Sequence, residues 1–156
     1  TGAGALVWGF GSSPGDPAQT WTLQAADGRA VPDGAYRIVS TIDPSSGVAA
    51  TASGCSMSKS PTALRFAYDE GTGLYAATAG GLALAMSGSD VSLAAPDGSA
   101  SQRWELVATA GGYSLVNAGT GRALDDRWRD TGAGALVWGF GSSPGDPAQT
   151  WTLQAV

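Results

Sequence analysis

Residues Ala148–Leu153 read AQTWTL, and the same six letters occupy Ala18–Leu23. A related stretch, SQRWEL, occupies Ser101–Leu106. All three share a glutamine, one variable residue and a tryptophan within a short alternation of apolar and polar residues. Such alternation is typical of a half-buried β-strand. Because the pattern recurs along the chain, it indicates an internal repeat, and the repeat predicts the fold.

The repeat has a period of about forty residues. Each unit opens with a tyrosine in an apolar strand, and these tyrosines are 39 and 38 residues apart: Tyr36, Tyr75 and Tyr113. The chain also has 24 glycines and 8 prolines, which favour many short strands joined by turns. Three units, at about 34–72, 73–111 and 112–156, with four short strands each, predict a threefold barrel capped by hairpins.

The first unit lacks an intact Gln-x-Trp pattern. Trp104 precedes Tyr113 by nine residues, and Phe66 precedes Tyr75 by the same number. This spacing predicts that Phe66 takes the place of the tryptophan in the first unit. Leu64 then takes the place of the glutamine.

On these residues the chain resembles the ricin B-type β-trefoil lectins, whose three repeats each end in a Gln-x-Trp strand. The resemblance implies an all-β fold, a β-trefoil of three four-stranded repeats. It also implies that Trp104 and Trp151 are core residues and that Gln102 and Gln149 hold the local backbone. An unpaired buried amide would cost about 1–3 kcal/mol, so these side chains are interpreted as structural.

The two ends of the chain are identical, because residues 1–25 repeat residues 131–155 letter for letter. This segment holds the last two strands of the third unit without the first two, so it is a duplicated half-repeat. Only one copy can complete a trefoil. The other is interpreted as surplus, as swapped between molecules in an oligomer, or as the tail of a preceding domain, with 26–33 as a linker.

The resemblance implies one sugar site, in the third unit. The family places an acid after the leucine of a Leu-Asp strand and an aromatic residue on the next strand. Asp125 is then the polar anchor and Trp138 the stacking platform, with Trp8 in its place if the N-terminal copy completes the unit. Ala148 stands where the family often has an asparagine, which removes one hydrogen-bonding side chain.

The first two units lack this pair of residue types. In the second unit Ala85 stands in the place of the acid and Ala94 in the place of the aromatic residue. In the first unit Thr51 is nearest to the acid position, and no aromatic residue follows. Both sites are predicted to be inactive.

Other roles for the site residues stay open at this stage. Asp125 would alternatively form a salt bridge with Arg127 or Arg129, or fix the turn. Trp138 would alternatively pack in the cap against Phe140. Trp128 is either a second stacking surface or an exposed loop side chain.

Composition excludes several classes of function. The net charge of −5 disfavours nucleic acid and anionic membrane surfaces as partners. Without histidine there is no Ser-His-Asp or Cys-His constellation, and the single cysteine, Cys55, excludes a thiolate zinc site. The arginines in DDRWRD (Asp125–Asp130) oppose calcium binding. No metal or cofactor is predicted.

The predicted function is therefore a non-catalytic carbohydrate-binding module with at most one working sugar site. Its partners would be a saccharide or glycoconjugate and other domains of a secreted or cell-surface protein, a location that the resemblance implies. The alternative is a structural or protein-interaction trefoil that has lost sugar binding. A glycosidase is disfavoured because Asp125 and Asp126 are adjacent on a strand and point to opposite faces.

Overall fold

The computed structural model describes residues 28–156, so the N-terminal copy at 1–25, with Trp8, lies outside the described residues. Twelve β-strands and three short 3-10 helices make up the described part of the chain. The strands are β1 (Gly34–Ser40), β2 (Gly47–Thr51), β3 (Gly54–Ser58), β4 (Ala63–Asp69), β5 (Leu74–Ala79), β6 (Leu82–Ser87), β7 (Asp90–Ala94), β8 (Trp104–Thr109), β9 (Gly112–Asn117), β10 (Arg122–Asp126), β11 (Leu136–Gly141) and β12 (Trp151–Ala155). The 3-10 helices are Ala100–Gln102, Arg127–Arg129 and Pro147–Gln149.

Six strands form a closed antiparallel barrel. Each pairs with two neighbours, in the ring β1, β4, β5, β8, β9 and β12, and β12 pairs with β1 again. The other six form the hairpins β2–β3, β6–β7 and β10–β11, which pack on one another. Closure leaves no free edges in the barrel. The predicted trefoil of three four-stranded repeats is confirmed, and the duplicated half-repeat stays a prediction.

The barrel core contains both tryptophans of the intact repeats. Trp104 and Trp151 are fully buried, and each indole N–H donates to a backbone carbonyl of the preceding hairpin. The acceptors are the Leu84 oxygen, at 2.9 Å from Trp104 Nε1, and the Leu124 oxygen, at 3.0 Å from Trp151 Nε1. The hydrogen bond removes the cost of burying the polar end of the ring. The predicted core role of these residues is confirmed.

The strand register corrects the assignment in the first unit. In all three units the opening tyrosine lies opposite one residue of a closing strand, in the pairs Tyr36–Leu64, Tyr75–Trp104 and Tyr113–Trp151. Leu64, and not Phe66, therefore takes the place of the tryptophan, and Thr62 that of the glutamine. Phe66 is buried one step further along β4, with its ring centroid 5.8 Å from that of Tyr36 and 6.2 Å from that of Tyr75.

The turn between β4 and β5 explains why the nine-residue spacing between Phe66 and Tyr75 gave the wrong assignment. Residues 70–73 join these strands, whereas only residues 110 and 111 join β8 and β9. The longer turn is closed by a hydrogen bond of 2.7 Å from Gly73 N to Asp69 O. Gly73 has a φ of 73°, which suits glycine. Two additional residues shift every position that is counted back from Tyr75.

The described part of the predicted linker 26–33 is attached to the barrel. Val31 is buried, and its N–H donates to Tyr75 Oη at 3.0 Å. The same hydroxyl donates to Val31 O at 2.8 Å, and Tyr113 Oη donates to Ala30 O at 3.1 Å. Two of the repeated tyrosines thus fix the chain just before β1.

Candidate functional site

The β10–β11 hairpin brings Asp125 and Trp138 together. The two residues are directly opposite in the antiparallel register, so their side chains lie on the same face of the hairpin. Trp138 Nε1 donates to Asp125 Oδ1 at 2.9 Å. The acid and the aromatic residue that the sequence pairs are therefore in direct contact.

Gln149 holds the other oxygen of Asp125. Its Nε2 donates to Asp125 Oδ2 at 3.0 Å and to Gly141 O at 2.9 Å. Its Oε1 accepts from Ser143 N at 2.8 Å. The predicted backbone role of Gln149 is confirmed, and the structure adds a contact with the acid.

The equivalent glutamine of the second unit makes only the backbone contacts. Gln102 Nε2 donates to Ala95 O at 2.8 Å, and its Oε1 accepts from Asp97 N at 2.9 Å. In the third unit, the Gln149 amide therefore has an additional role, because it also orients the Asp125 carboxylate.

The Asp125 carboxylate still has capacity to accept hydrogen bonds. A carboxylate offers about four lone-pair positions, and the two protein donors use one on each oxygen. Among residues 28–156, one position on each oxygen is then left without a side-chain donor. The side chain lies at a cavity of about 230 Å³ that is lined by Asp125, Trp128, Arg129, Trp138, Phe140, Gly141, Ser143, Asp146, Ala148 and Gln149.

Phe140, which the sequence predicted only as a packing partner of Trp138, is a second aromatic residue at the cavity. Its side chain is 51% exposed, and its ring stacks on that of Trp138 with a centroid distance of 5.3 Å and an interplanar angle of 20°. The Arg127 guanidinium lies 4.9 Å from the Trp138 ring centroid. With two neighbours on its ring, Trp138 offers less open surface than Phe140. The sequence of β11 indicates that Phe140 lies on the same face as Trp138, because residues two apart on a strand share a face.

The alternative partners proposed for Asp125 lie elsewhere. Arg127 covers Trp138, and Arg129 pairs with Asp146 at 3.4 Å. Within residues 28–156, the side-chain hydrogen-bond partners of Asp125 are Trp138 and Gln149. The packing of Trp138 against Phe140 is present together with its hydrogen bond to the acid.

The segment after β10 has an unusual backbone. Trp128 and Arg129 have φ angles of 67° and 57°, in the left-handed region that side chains other than glycine rarely adopt. Trp128 is 80% exposed and lines the cavity. An exposed indole is therefore held at the edge of the site by a strained backbone.

Asp126, next to the site acid, is a buried carboxyl group. It is 1% exposed, and its Oδ1 has no hydrogen-bond partner among the described residues. Burial, followed by the charges of Asp125 and Asp146, raises the pKa of Asp126 from 3.8 to about 7, and Arg129 opposes this shift. The charged form of Asp126 is thus disfavoured in the folded protein.

Asp126→Asn should change the pH dependence of stability. Since the folded state holds the proton of Asp126 more tightly than the unfolded state, the contribution of this carboxyl to the free energy of unfolding should fall between pH 4 and 7, by up to about 1 kcal/mol per pH unit. The variant lacks this term, so its stability relative to the wild type should rise over that range and level off above pH 7. Urea unfolding at pH 4 to 8 measures the difference. A difference that does not vary with pH contradicts the prediction.

The register also identifies the corresponding positions of the other hairpins. The place of Asp125 is taken by Ala49 in the first unit and Ala85 in the second. Thr51 is therefore not at the acid position. The places of Trp138 and Phe140 are taken by Ser56 and Ser58 in the first unit and by Ser92 and Ala94 in the second. Ala94 thus corresponds to Phe140 and not to Trp138.

The sequence profile of the family described as ricin-type beta-trefoil lectin domain-like matches residues 17–139 and 100–156. The chain belongs to this family. Lectin membership supports a carbohydrate-binding role for this ricin-type trefoil. No curated protein matches the chain in sequence.

Solved structures share the fold of this ricin-type trefoil. A mosquitocidal holotoxin is similar with a TM-score of 0.75 and 16% identity, over 81% of this chain and 18% of the toxin. ThreeFoil, a designed 3-fold symmetric protein, has a TM-score of 0.69 and 26% identity, over 80% of this chain and 100% of its own. The Polyporus squamosus lectin, solved with the epitope Neu5Aca2-6Galb1-4GlcNAc, has a TM-score of 0.68 and 15% identity, over 81% of this chain and 50% of the lectin.

Among residues 28–156, no three or more histidine, cysteine or acidic side chains group together in a way that would hold a metal ion. Over the same range, no helix has the length and apolar character that crossing a membrane requires.

Proposed function

We propose that the chain is a non-catalytic carbohydrate-binding module with one sugar site, in the third repeat. The observation that carries the proposal is the Asp125 carboxylate, oriented by two donors at a cavity that also has an exposed aromatic ring. Asp125 accepts hydrogen bonds from two neighbouring sugar hydroxyls, and Phe140 stacks on the apolar face of the same ring. Trp138 contacts both of these side chains, through its hydrogen bond to Asp125 and its stacking on Phe140.

The surroundings favour a neutral sugar and a modest affinity. Asp125 and Asp146 both line the cavity, and Arg129, the one cation among its lining residues in the range 28–156, is paired with Asp146. An anionic sugar would meet the negative charge of Asp125 at close range. Ala148 also lines the cavity and contributes no side-chain hydrogen bond, so fewer polar contacts hold the ligand.

The carboxyl groups support a binding role over hydrolysis. Glycoside hydrolysis needs one carboxyl group that donates a proton and a second that acts as base or nucleophile. Asp146 Oδ1 accepts from Ala148 N at 2.9 Å, and Asp125 accepts from Trp138 and Gln149, so both act as acceptors. Asp126, which favours its proton, is buried and is not among the residues that line the cavity.

A structural or protein-interaction trefoil is the second candidate. It is favoured by the hairpins of the first two units, where alanine and serine take the positions of the acid and the aromatic residues. The similar toxin and fungal lectin are longer than this chain, which supports a module within a larger secreted or surface protein. In that setting segment 1–25 would be the tail of a preceding domain.

Saccharide binding of the wild type and of Asp125→Ala tests the proposed function. A glycan array of neutral and acidic saccharides, followed by titration calorimetry of the hits, should show ligands for the wild type. The variant should lose at least about 100-fold in affinity, because two sugar hydroxyls lose the carboxylate that accepts their hydrogen bonds.

Asp90→Ala, at an exposed acid of β7, is the matched control and should bind as the wild type does. A wild type without a saccharide ligand overturns the lectin function and leaves the second candidate. Unchanged binding by Asp125→Ala overturns the site.

A further inference from the structure

We propose that Trp128 is a second sugar-stacking surface, so that the site binds an oligosaccharide of at least two units. One ring contacts Asp125 and Phe140, and the next ring along the chain stacks on Trp128. The inference rests on the proposed function of the site at Asp125 and deepens it by naming the ligand class.

The exposure of Trp128 is the first observation. At 80%, it is the most exposed large apolar side chain among the described residues, and it lines the same cavity as Asp125 and Phe140. An indole left in water gains by covering its ring with an apolar surface. The apolar face of the next sugar ring, adjacent to the ring on Phe140, supplies such a surface.

The contact between Trp128 and the Arg127 guanidinium is the second observation. The Arg127 guanidinium carbon lies 5.5 Å from the Trp128 ring centroid and 4.9 Å from that of Trp138. One cation thus connects the exposed indole to the indole that holds Asp125. Arg129, on the other side, is anchored to Asp146 at 3.4 Å.

The backbone strain is the third observation. A free loop would relax out of the left-handed conformation that Trp128 and Arg129 both adopt. Strain of this kind is retained where the surrounding structure holds it, and it is concentrated at ligand clamps and active sites. The backbone that carries the indole is therefore fixed at the cavity before the ligand arrives, which lowers the entropy that is lost on binding.

The capacity of the site sets the minimum length of the ligand. The two open positions on Asp125 are filled by two neighbouring hydroxyls of one sugar ring, and Phe140 stacks on that same ring. A second aromatic surface, on a different segment of the chain, then faces the adjacent ring. A monosaccharide uses Asp125 and Phe140 alone.

Affinity as a function of chain length tests the inference. The probes are galactose, glucose and xylose with their β-1,4-linked disaccharides and trisaccharides, titrated by calorimetry into the full chain. For the series that binds, wild-type affinity should rise by about tenfold from the monosaccharide to the disaccharide. Trp128→Ala should remove this rise and keep the monosaccharide affinity, and Trp128→Phe should keep most of the rise.

The controls separate this inference from the proposed function. Ile42→Ala, at an exposed apolar side chain that does not line the cavity, should behave as the wild type. Equal losses for monosaccharide and disaccharide in Trp128→Ala, or no loss for either, overturn the second stacking surface and leave the site at Asp125 standing. Absence of binding by the wild type to all nine probes and to the glycan array overturns both.

Discussion

Trp151→Ala is expected to lower the free energy of unfolding by about 3–5 kcal/mol. The side chain is fully buried in the barrel, and its Nε1 is bonded to Leu124 O. The variant loses the buried apolar surface and leaves a cavity, and the Leu124 carbonyl in the middle of β10 loses the indole donor. Urea unfolding followed by circular dichroism measures the change.

Three other tryptophans provide the controls. Trp104→Ala, the equivalent change in the second unit, should cost a similar amount, whereas Trp128→Ala, at an exposed side chain, should change stability by less than about 0.5 kcal/mol. Because Trp21 is the counterpart of Trp151 in the identical N-terminal segment, the double variant Trp21→Ala/Trp151→Ala tests whether that segment supplies the missing indole. A loss below about 1 kcal/mol in the double variant contradicts the core role of Trp151.

Gln149→Ala should affect both stability and ligand binding. We expect a loss of about 2–4 kcal/mol in the free energy of unfolding, because Gly141 O and Ser143 N lose their buried partner. We also expect saccharide affinity to fall by at least about tenfold, because Asp125 Oδ2 is no longer held in position. Unfolding and calorimetry on the same samples measure the two effects.

Gln102→Ala is the matched variant for this comparison. It removes the same pair of backbone contacts in the second unit, to Ala95 O and from Asp97 N, and neither contact involves a carboxylate side chain. Its loss of stability should resemble that of Gln149→Ala, and its saccharide affinity should equal that of the wild type. Equal loss of affinity in both variants would mean that Gln149 acts only through the fold.

The sequence predicted correctly those parts of the fold that carry two independent sequence features. Trp104 and Trp151 each stand in a Gln-x-Trp strand and at a fixed distance from a tyrosine, so their place in the core was predictable. The first unit keeps only the tyrosine. There the assignment depended on counting residues, and a turn two residues longer before β5 moved it from Leu64 to Phe66.

The sequence was sufficient to predict which hairpin, β10–β11, carries the candidate site. Asp125 and Trp138 were identified from their residue types, and the structure places them in contact. Phe140 was not predicted as the stacking residue because Trp138 already filled that role. Which of the two stacked rings faces solvent depends on Arg127, which covers the Trp138 ring from a different segment of the chain. The left-handed backbone at Trp128 was not predictable either, since tryptophan carries no signal for a positive φ.

The absence of an acid at Ala49 and Ala85 has a consequence for how the proposed site operates on a cell or a polysaccharide. If the proposed function holds, the trefoil of residues 28–156 has a valency of one, so on its own it would coat a glycan surface without bridging two surfaces. Agglutination and precipitation require at least two sites on one particle. Each binding event would also end as soon as the single site releases its ligand. The time spent on a surface would therefore be set by the rate at which the ligand dissociates from that one site.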